Sequence, residues 1–182
     1  MTGIVLFLSL MIKFFIELGT KQSSRYGYSL MSFSQLSCLQ FLFNEAIAVN
    51  STAYEDNDPM TGQSIFVGDK TEVALLRFAK ELNWRSAREM RNAADVVQNI
   101  PLSDREVMGV VIKRPDGGYR AYFRGPSETL ARASTKHIVV REERNSSQGI
   151  EVQDIDELPR ENINRTTIFY RNEMLHTIAL AY

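Results

Sequence analysis

The residues best suited to chemistry lie where a predicted strand gives way to a predicted helix, in Arg124-Gly125-Pro126-Ser127-Glu128. The sequence places a cation at the end of the strand, then a glycine, then the free amides of a new helix. This arrangement can hold an anion. The same residues also fit an ordinary hairpin that ends in a short helix, because so brief a motif is not specific. The local sequence leaves both interpretations open.

A second acidic candidate stands at the start of another predicted helix, in Asp69-Lys70-Thr71-Glu72. Asp69 falls at the N-cap and Glu72 at the third helical position, which is the spacing of a capping box. The two side chains would then satisfy free amides of the first helical turn. On this interpretation Glu72 has a structural role and needs no ligand.

Composition and charge exclude several other kinds of function. The chain has 182 residues, 44% of them hydrophobic, and a net charge of −1. The composition is typical of one globular domain with a segment outside it, and the charge argues against a nucleic-acid partner, which usually needs a basic surface. Cys38 is the only cysteine, so no intrachain disulfide is expected. His137 and His176 lack the spacing of metal ligands, and no metal site is predicted.

Helices and strands must position these residues, and the spacing of apolar residues changes several times along the chain between helical and strand patterns. Amphipathic spacing predicts helices over Gln35 to Val49, Val73 to Leu82, a short stretch after Ser86, and Ile163 to Met174. Alternating or β-branched runs predict strands over Ser64 to Gly68, Val96 to Ile100, Val107 to Ile112, Tyr119 to Arg124, Ile138 to Arg141 and Thr177 to Tyr182. A turn at Pro115-Asp116-Gly117-Gly118 joins the two central strands. The charged stretch Glu142 to Glu161 is predicted to be a loop.

The most apolar run, Ile4 to Leu18, is predicted to be a hydrophobic helix. Such a helix would be about 22 Å long, short of a hydrocarbon core of roughly 30 Å, and Lys13 and Glu17 would add a further cost. It fits a membrane helix, a fragment of one, or a hydrophobic helix that needs a partner. The chain therefore divides into a hydrophobic segment over 1–18, a connector over 19–35 and a domain over 36–182.

Three separated segments of that domain, in the right order, resemble the nucleotide-binding domain of P-type calcium-transporting ATPases of the plasma-membrane and vacuolar type. They are the helix start in Phe66 to Leu76 (FVGDKTEVALL), the turn Arg124 to Glu128 (RGPSE), and the final helix and strand in Asn162 to Tyr182. The resemblance covers residues 36–182, and the three motifs are specific together although each is modest alone. The first eighteen residues resemble a transmembrane helix of the family.

The resemblance implies an α+β fold, a twisted antiparallel sheet with helices packed on it, that binds ATP. Magnesium is expected only together with the nucleotide. In the intact family the domain presents the γ-phosphate to an aspartate in a separate domain, and the aspartyl-phosphate drives calcium across a membrane. The domain would lie at the cytoplasmic face of a membrane if residues 4–18 insert, and in the cytoplasm otherwise.

The family's binding residues match this chain unevenly. Glu72 matches the acid that reaches the adenine amine, and Gly125 matches the glycine of the turn. Arg124 stands where a lysine lines the pocket, which keeps the charge but changes its shape. Leu102 falls where an aromatic ring stacks on adenine, and His176 falls at an arginine that approaches the phosphates. These departures would remove about 2–4 kcal/mol, or roughly 30- to 1000-fold in affinity, so ATP binding is expected to be weak or lost.

No catalytic residue is assigned. Asp69-Lys70-Thr71 begins like the family's phosphorylated Asp-Lys-Thr-Gly-Thr, but Glu72-Val73 follows, so Asp69 is not taken as the phosphate acceptor. Glu106, where the family has a lysine, would repel a phosphate. Three hypotheses remain: a truncated ATP-binding domain that cannot transport alone, a non-enzymatic interaction module or non-functional fragment with a decayed pocket, and an incomplete gene model whose other parts lie outside this chain.

Overall fold

A computed structural model describes residues 4–7, 37–101, 106–141 and 149–182. The described helices are α1 (Ser37–Val49), α2 (Lys70–Glu81), α3 (Ala87–Ala93), α4 (Ser127–Ala133) and α5 (Glu157–Asn172). The described strands are β1 (Ile4–Phe7), β2 (Tyr54–Asn57), β3 (Ser64–Val67), β4 (Asp95–Ile100), β5 (Met108–Lys113), β6 (Tyr119–Pro126), β7 (Lys136–Arg141), β8 (Gly149–Asp154) and β9 (Ile178–Ala181).

Seven of the strands form one sheet in the order β4-β5-β6-β9-β1-β7-β8, and β2 and β3 form a separate hairpin. Neighbours in the large sheet are antiparallel except β1 and β7, which are parallel. The predicted central hairpin is confirmed, with Val111 opposite Ala121. Its turn closes through the Arg114 N–H, which donates to the Gly118 carbonyl at 2.7 Å, and Gly117 supplies a positive φ of 86°.

Strand alternation divides the core between the two faces of the sheet. On one face, apolar side chains of β5, β6 and β9 pack in the main core with α1 and α2; its largest fully buried members are Tyr122, Phe43, Phe78, Leu39, Ile47, Leu180 and Val110. On the other face, Ala179 and Ala181 pack with Leu130 of α4. The α+β class with an antiparallel sheet flanked by helices is therefore confirmed.

A polar cluster is buried where α1 meets the sheet. The Tyr122 hydroxyl, on a residue with 0% exposure, donates to the Glu45 carboxylate and accepts from Arg120 Nη1 at 3.2 Å. Arg120 also lies 3.6 Å from Glu45, and its guanidinium stacks over the Tyr182 ring at 5.4 Å. Burial, followed by the hydrogen bond to Glu45, raises the pKa of Tyr122 above its usual value. The cluster ties α1 to β6 through a hydrogen bond between Tyr122 and Glu45 and an ion pair between Arg120 and Glu45.

The prediction of a hydrophobic helix beginning at Ile4 is wrong for its first residues, because Ile4–Phe7 forms β1 within the large sheet. A short apolar run fits a strand with neighbours on both sides as well as it fits a helix, and periodicity alone does not separate the two. The remainder of that predicted helix, 8–18, lies outside the described residues. Within the described part of the chain, no helix combines the length and the apolar character needed to cross a bilayer.

Two further strands, β2 and β8, lie where the sequence predicts no strand. β2 runs through Tyr54–Asn57, and β8 runs through Gly149–Asp154 in the stretch predicted to be a loop. Both carry acidic residues that disfavour strands, and pairing with β3 and β7 decides their structure. α5 begins at Glu157, ahead of the predicted Ile163, since Pro159 is tolerated in a first helical turn.

Candidate functional site

The site begins at the first turn of α2. Asp69 is the N-cap, and its carboxylate accepts from the Thr71 N–H at 2.9 Å and from the Glu72 N–H at 3.4 Å. The part of the predicted capping box in which Asp69 caps the helix amides is confirmed. It turns Glu72 toward the core, where the residue is 3% exposed, and its carboxylate points at residues 51–53 and not back at Asp69.

One carboxylate oxygen of Glu72 is committed to the chain itself. Oε2 accepts from the Thr52 N–H at 2.8 Å, the Thr52 hydroxyl at 2.9 Å and the Ala53 N–H at 2.9 Å, with the Ser51 hydroxyl at 3.3 Å. Burial alone would raise the pKa of Glu72, but these hydrogen bonds and the charge of Arg124 outweigh it and hold the pKa below its usual value. Glu72 is therefore a structural carboxylate whatever else it binds.

The other oxygen of Glu72 faces Arg124, which projects from β6 onto the same face of the sheet. Arg124 Nη2 donates to Glu72 Oε1 at 2.9 Å and also contacts the Met108 sulfur. The side chains of Arg124 and Glu72 are 11% and 4% exposed, respectively. Within the described chain, Arg124 Nη1 is buried without a hydrogen-bond partner, and Oε1 accepts only this one donor. Arg124 Nη1, a donor left free by the described residues, and Glu72 Oε1, which can accept another hydrogen bond, thus lie side by side and shielded from solvent.

Arg91 of α3 holds the same loop from its carbonyl side. Its Nε donates to the Ala48 carbonyl at 2.7 Å, and its Nη2 donates to the Ala53 carbonyl at 2.8 Å. Burial lowers the pKa of Arg91, and the charge of Glu72 opposes that shift. The segment 48–53 is therefore clamped between a carboxylate that accepts from its amides and a guanidinium that donates to its carbonyls.

Gly125 follows Arg124 but faces the opposite side of the sheet, because successive strand positions alternate. A Cβ there would lie 2.8 Å from Val107 Cγ2 and 3.2 Å from the Glu106 carbonyl oxygen. The glycine is required by this close approach of the chain entering β5. The same close approach places the Glu106 backbone next to the turn.

Of the other two predicted site residues, only His176 is described, and it lies apart from this group. His176 is exposed in the connection between α5 and β9, four residues before Leu180, which pairs with Arg124. That separation is about 13 Å of extended chain. Leu102 lies outside the described residues. The structure therefore brings Glu72 and Arg124 into contact, with Gly125 adjacent in the chain and His176 apart from them.

A cavity of about 550 Å³ lies between the β2–β3 hairpin, α2 and α3. Ala53 and Arg91 belong to its lining, but Glu72 and Arg124 do not. This cavity is therefore distinct from the ion pair and is not the predicted nucleotide pocket. No group of three or more His, Cys, Asp and Glu side chains that could hold a metal occurs among the residues described.

The sequence did not single out three residues of this network. Thr52 and Ala53 supply amides to a carboxylate some 20 positions away, and Arg91 reaches a carbonyl 38 positions away. No local pattern marks such contacts. The sequence signal for Thr52 and Ala53 is that the segment around them, Ala46 to Tyr54, also resembles the family.

Comparison with known proteins connects this geometry to a family. Residues 38–182 match the family model described as P-type ATPase, cytoplasmic domain N. The chain is 48% identical over 147 residues to Calcium-transporting ATPase 2 of Cryptococcus neoformans var. grubii, covering 80% of this chain and 10% of that protein. It is 31% identical over 173 residues to Calcium-transporting ATPase 2, plasma membrane-type, of Arabidopsis thaliana, covering 94% of this chain and 16% of that protein.

A relative in Schizosaccharomyces pombe, Calcium-transporting ATPase 2, is 36% identical over 118 residues, which is 62% of this chain and 9% of that protein. The chain thus spans about a tenth of the length of the fungal relatives it matches. The match includes the helix start with Glu72 and the turn with Arg124 and Gly125. The chain therefore belongs to the P-type ATPases, as a cytoplasmic domain N related to that of calcium-transporting ATPases.

Proposed function

We propose that this domain binds ATP weakly, with the adenine base at the Glu72–Arg124 pair, and that it does not transport ions by itself. The observation that carries the proposal is that Arg124 Nη1 is buried without a hydrogen-bond partner among the described residues, beside a Glu72 oxygen with acceptor capacity left. A buried donor without a partner is costly, and a ligand acceptor placed there would remove that cost.

Adenine offers the complementary groups. Its exocyclic amine is a donor and the adjacent ring nitrogen is an acceptor. Glu72 Oε1 would accept from the amine, and Arg124 Nη1 would donate to the ring nitrogen. The triphosphate would extend toward the exposed connection that carries His176. Magnesium would enter only with the triphosphate.

Three features make the expected binding weak. Leu102 has no aromatic ring to stack on the base, and stacking is worth about 0.5–1.5 kcal/mol. Glu106 places an acid beside the turn. His176 stands where the family has an arginine, and its imidazole lacks the planar guanidinium that pairs with phosphate oxygens in bidentate fashion. Calcium transport is proposed only for a longer protein that contains such a domain, because the transport cycle needs a phosphorylated aspartate and metal ligands together.

A titration with a fluorescent ATP analogue tests the proposal, using Arg124→Ala as the variant and Arg114→Ala as the control. Arg114 is an exposed arginine in the β5–β6 turn, paired with Asp116 at 2.7 Å. Saturable binding in the high micromolar to millimolar range is expected, weakened about 10-fold by Arg124→Ala and unchanged in the control. Absence of saturation up to about 10 mM, or equal affinity of both variants, rejects it.

A second candidate is a non-enzymatic interaction module or a non-functional fragment with a decayed pocket. It is favoured by the commitment of Glu72 Oε2 to Ser51, Thr52 and Ala53, which explains the buried acid without any ligand. On this alternative, Glu72 variants change stability only. Incubation with labelled ATP is expected to give no acid-stable phosphoprotein on either candidate, and a signal lost in Asp69→Asn would contradict both.

A further inference from the structure

β2 has one edge that no other described strand pairs with. The Asp58 N–H donates to the Gln63 carbonyl at 2.8 Å, which identifies a hydrogen-bonded pair at the end of the β2–β3 ladder. Because such pairs alternate along an antiparallel ladder, Asp56 and Tyr54 face β3. The N–H and C=O groups of Glu55 and Asn57 therefore point to the other edge.

The contacts of Ala53 agree with this alternation. Ala53 is two positions before Glu55, so its backbone groups face the same edge. Its N–H donates to Glu72, and its C=O accepts from Arg91. Further along the edge, the Asn57 N–H donates to Asp56 Oδ1 at 2.8 Å. No other described strand pairs with the N–H and C=O of Glu55 or with the C=O of Asn57, so these groups form a free edge.

This edge borders the 550 Å³ cavity. Apolar side chains contribute to its lining, namely Phe66, Leu76 and Ala87, and α3 contributes Arg88 and Asn92. Of the two acids in the lining, Glu55 is neutralised by Lys80 at 2.6 Å, and the Asp56 side chain points to the hairpin face opposite Phe66 because strand positions alternate. The Arg91 guanidinium already donates hydrogen bonds to the Ala48 and Ala53 carbonyls. Arg88 is exposed and has no ion pair within the described chain, so it is the cation available to a ligand.

We propose that the cleft between the free edge of β2 and α3 binds an extended peptide segment of a partner protein by strand addition. The segment pairs with the outward groups of Glu55 and Asn57, lays apolar side chains on Phe66 and Leu76, and places an acidic side chain against Arg88. Exposed N–H and C=O groups along a strand edge are the complement of another extended backbone. Charge complementarity with Arg88 makes that segment acidic.

The probe is a blocked pentapeptide that alternates valine and glutamate, followed by two-dimensional NMR of the labelled chain. Saturable shifts are expected at the Glu55 and Asn57 amides and along α3, with a dissociation constant on the order of 1 mM for so short a strand. A lysine-containing peptide of the same pattern, and a peptide N-methylated at its pairing amides, should each bind at least about 5-fold more weakly.

Arg88→Glu should reverse the preference from the glutamate to the lysine peptide. Arg85→Glu is the matched control, since Arg85 is an exposed arginine just before α3 that pairs with Glu89 at 3.9 Å and does not line the cleft. Shifts that map away from β2 and α3, equal binding of the N-methylated peptide, or an unchanged preference in Arg88→Glu would overturn the proposal. None of these measurements requires nucleotide, so they are independent of ATP binding.

Discussion

Glu72 and Arg124, 52 positions apart in the chain, form a 2.9 Å ion pair. The two carboxylate oxygens of Glu72 bind different partners. Oε2 fixes the loop at residues 51–53, and Oε1 meets the guanidinium. A side chain that joins a loop to a candidate ligand site makes loss of structure and loss of binding hard to separate. A substitution at either residue therefore needs a matched control at an exposed position.

Glu72→Ala should destabilise the domain by about 3–5 kcal/mol, because it leaves the buried Arg124 unpaired and removes the acceptor for the Thr52 and Ala53 amides. Urea unfolding followed by circular dichroism measures the change. Glu89→Ala, at an exposed position of α3, should stay within about 0.5 kcal/mol. A Glu72→Ala loss as small as that of the control would contradict the structural role.

The pH dependence of stability should carry the signature of Glu72. Its pKa is lowered in the folded state, so its contribution is present above the unfolded value of about 4.3 and is lost as pH falls through the folded pKa. The difference in unfolding free energy between the parent and Glu72→Gln should therefore be largest above pH 5 and shrink toward pH 3. Glu55 and Asp58 also have lowered pKa values, but both proteins share them. A constant difference across this range would show that Glu72 does not titrate as proposed.

Tyr122 should make the fold sensitive to alkali. Its pKa is raised in the folded state, so its stabilising effect is present below the unfolded value of about 10 and is lost as pH rises toward the folded pKa. The unfolding free energy of the parent should fall above pH 10 more steeply than that of Tyr122→Phe. Tyr119→Phe, at a position 65% exposed, controls for loss of a hydroxyl. Identical slopes in the parent and Tyr122→Phe would refute the prediction.

His176→Arg should tighten ATP binding about 3- to 10-fold by placing a guanidinium, which can pair with phosphate oxygens in bidentate fashion, near the proposed triphosphate. Because His176 is exposed, the substitution should leave stability nearly unchanged. Met60→Arg adds the same charge in the β2–β3 loop at a position 93% exposed, and it should not change the affinity. Isothermal titration at two salt concentrations measures both variants, and the gain should shrink as salt rises. Equal ATP affinities of His176→Arg and Met60→Arg would show that the triphosphate does not lie near His176.

Local chemistry allowed the sequence to predict part of this molecule. The Asp69 cap and the β5–β6 turn depend on neighbours within a few positions, and both are present. Distant partners decide the rest. β8 becomes a strand only because β7 pairs with it, and the orientation of Glu72 depends on amides some 20 positions earlier. The family resemblance brought Arg124 and Glu72 together as pocket residues, but it did not reveal their direct ion pair.

The position of β1 has a consequence for how the domain assembles. Val5 lies opposite Ala181 on one side and His137 on the other, so the β7–β8 hairpin is linked to the other large-sheet strands through β1. Contacts between positions this far apart are slow to form and favour stepwise opening of the units they join. Joining the β7–β8 hairpin to β9 therefore requires Ile4–Phe7 and Ile178–Ala181, more than 170 positions apart, to come together in one sheet.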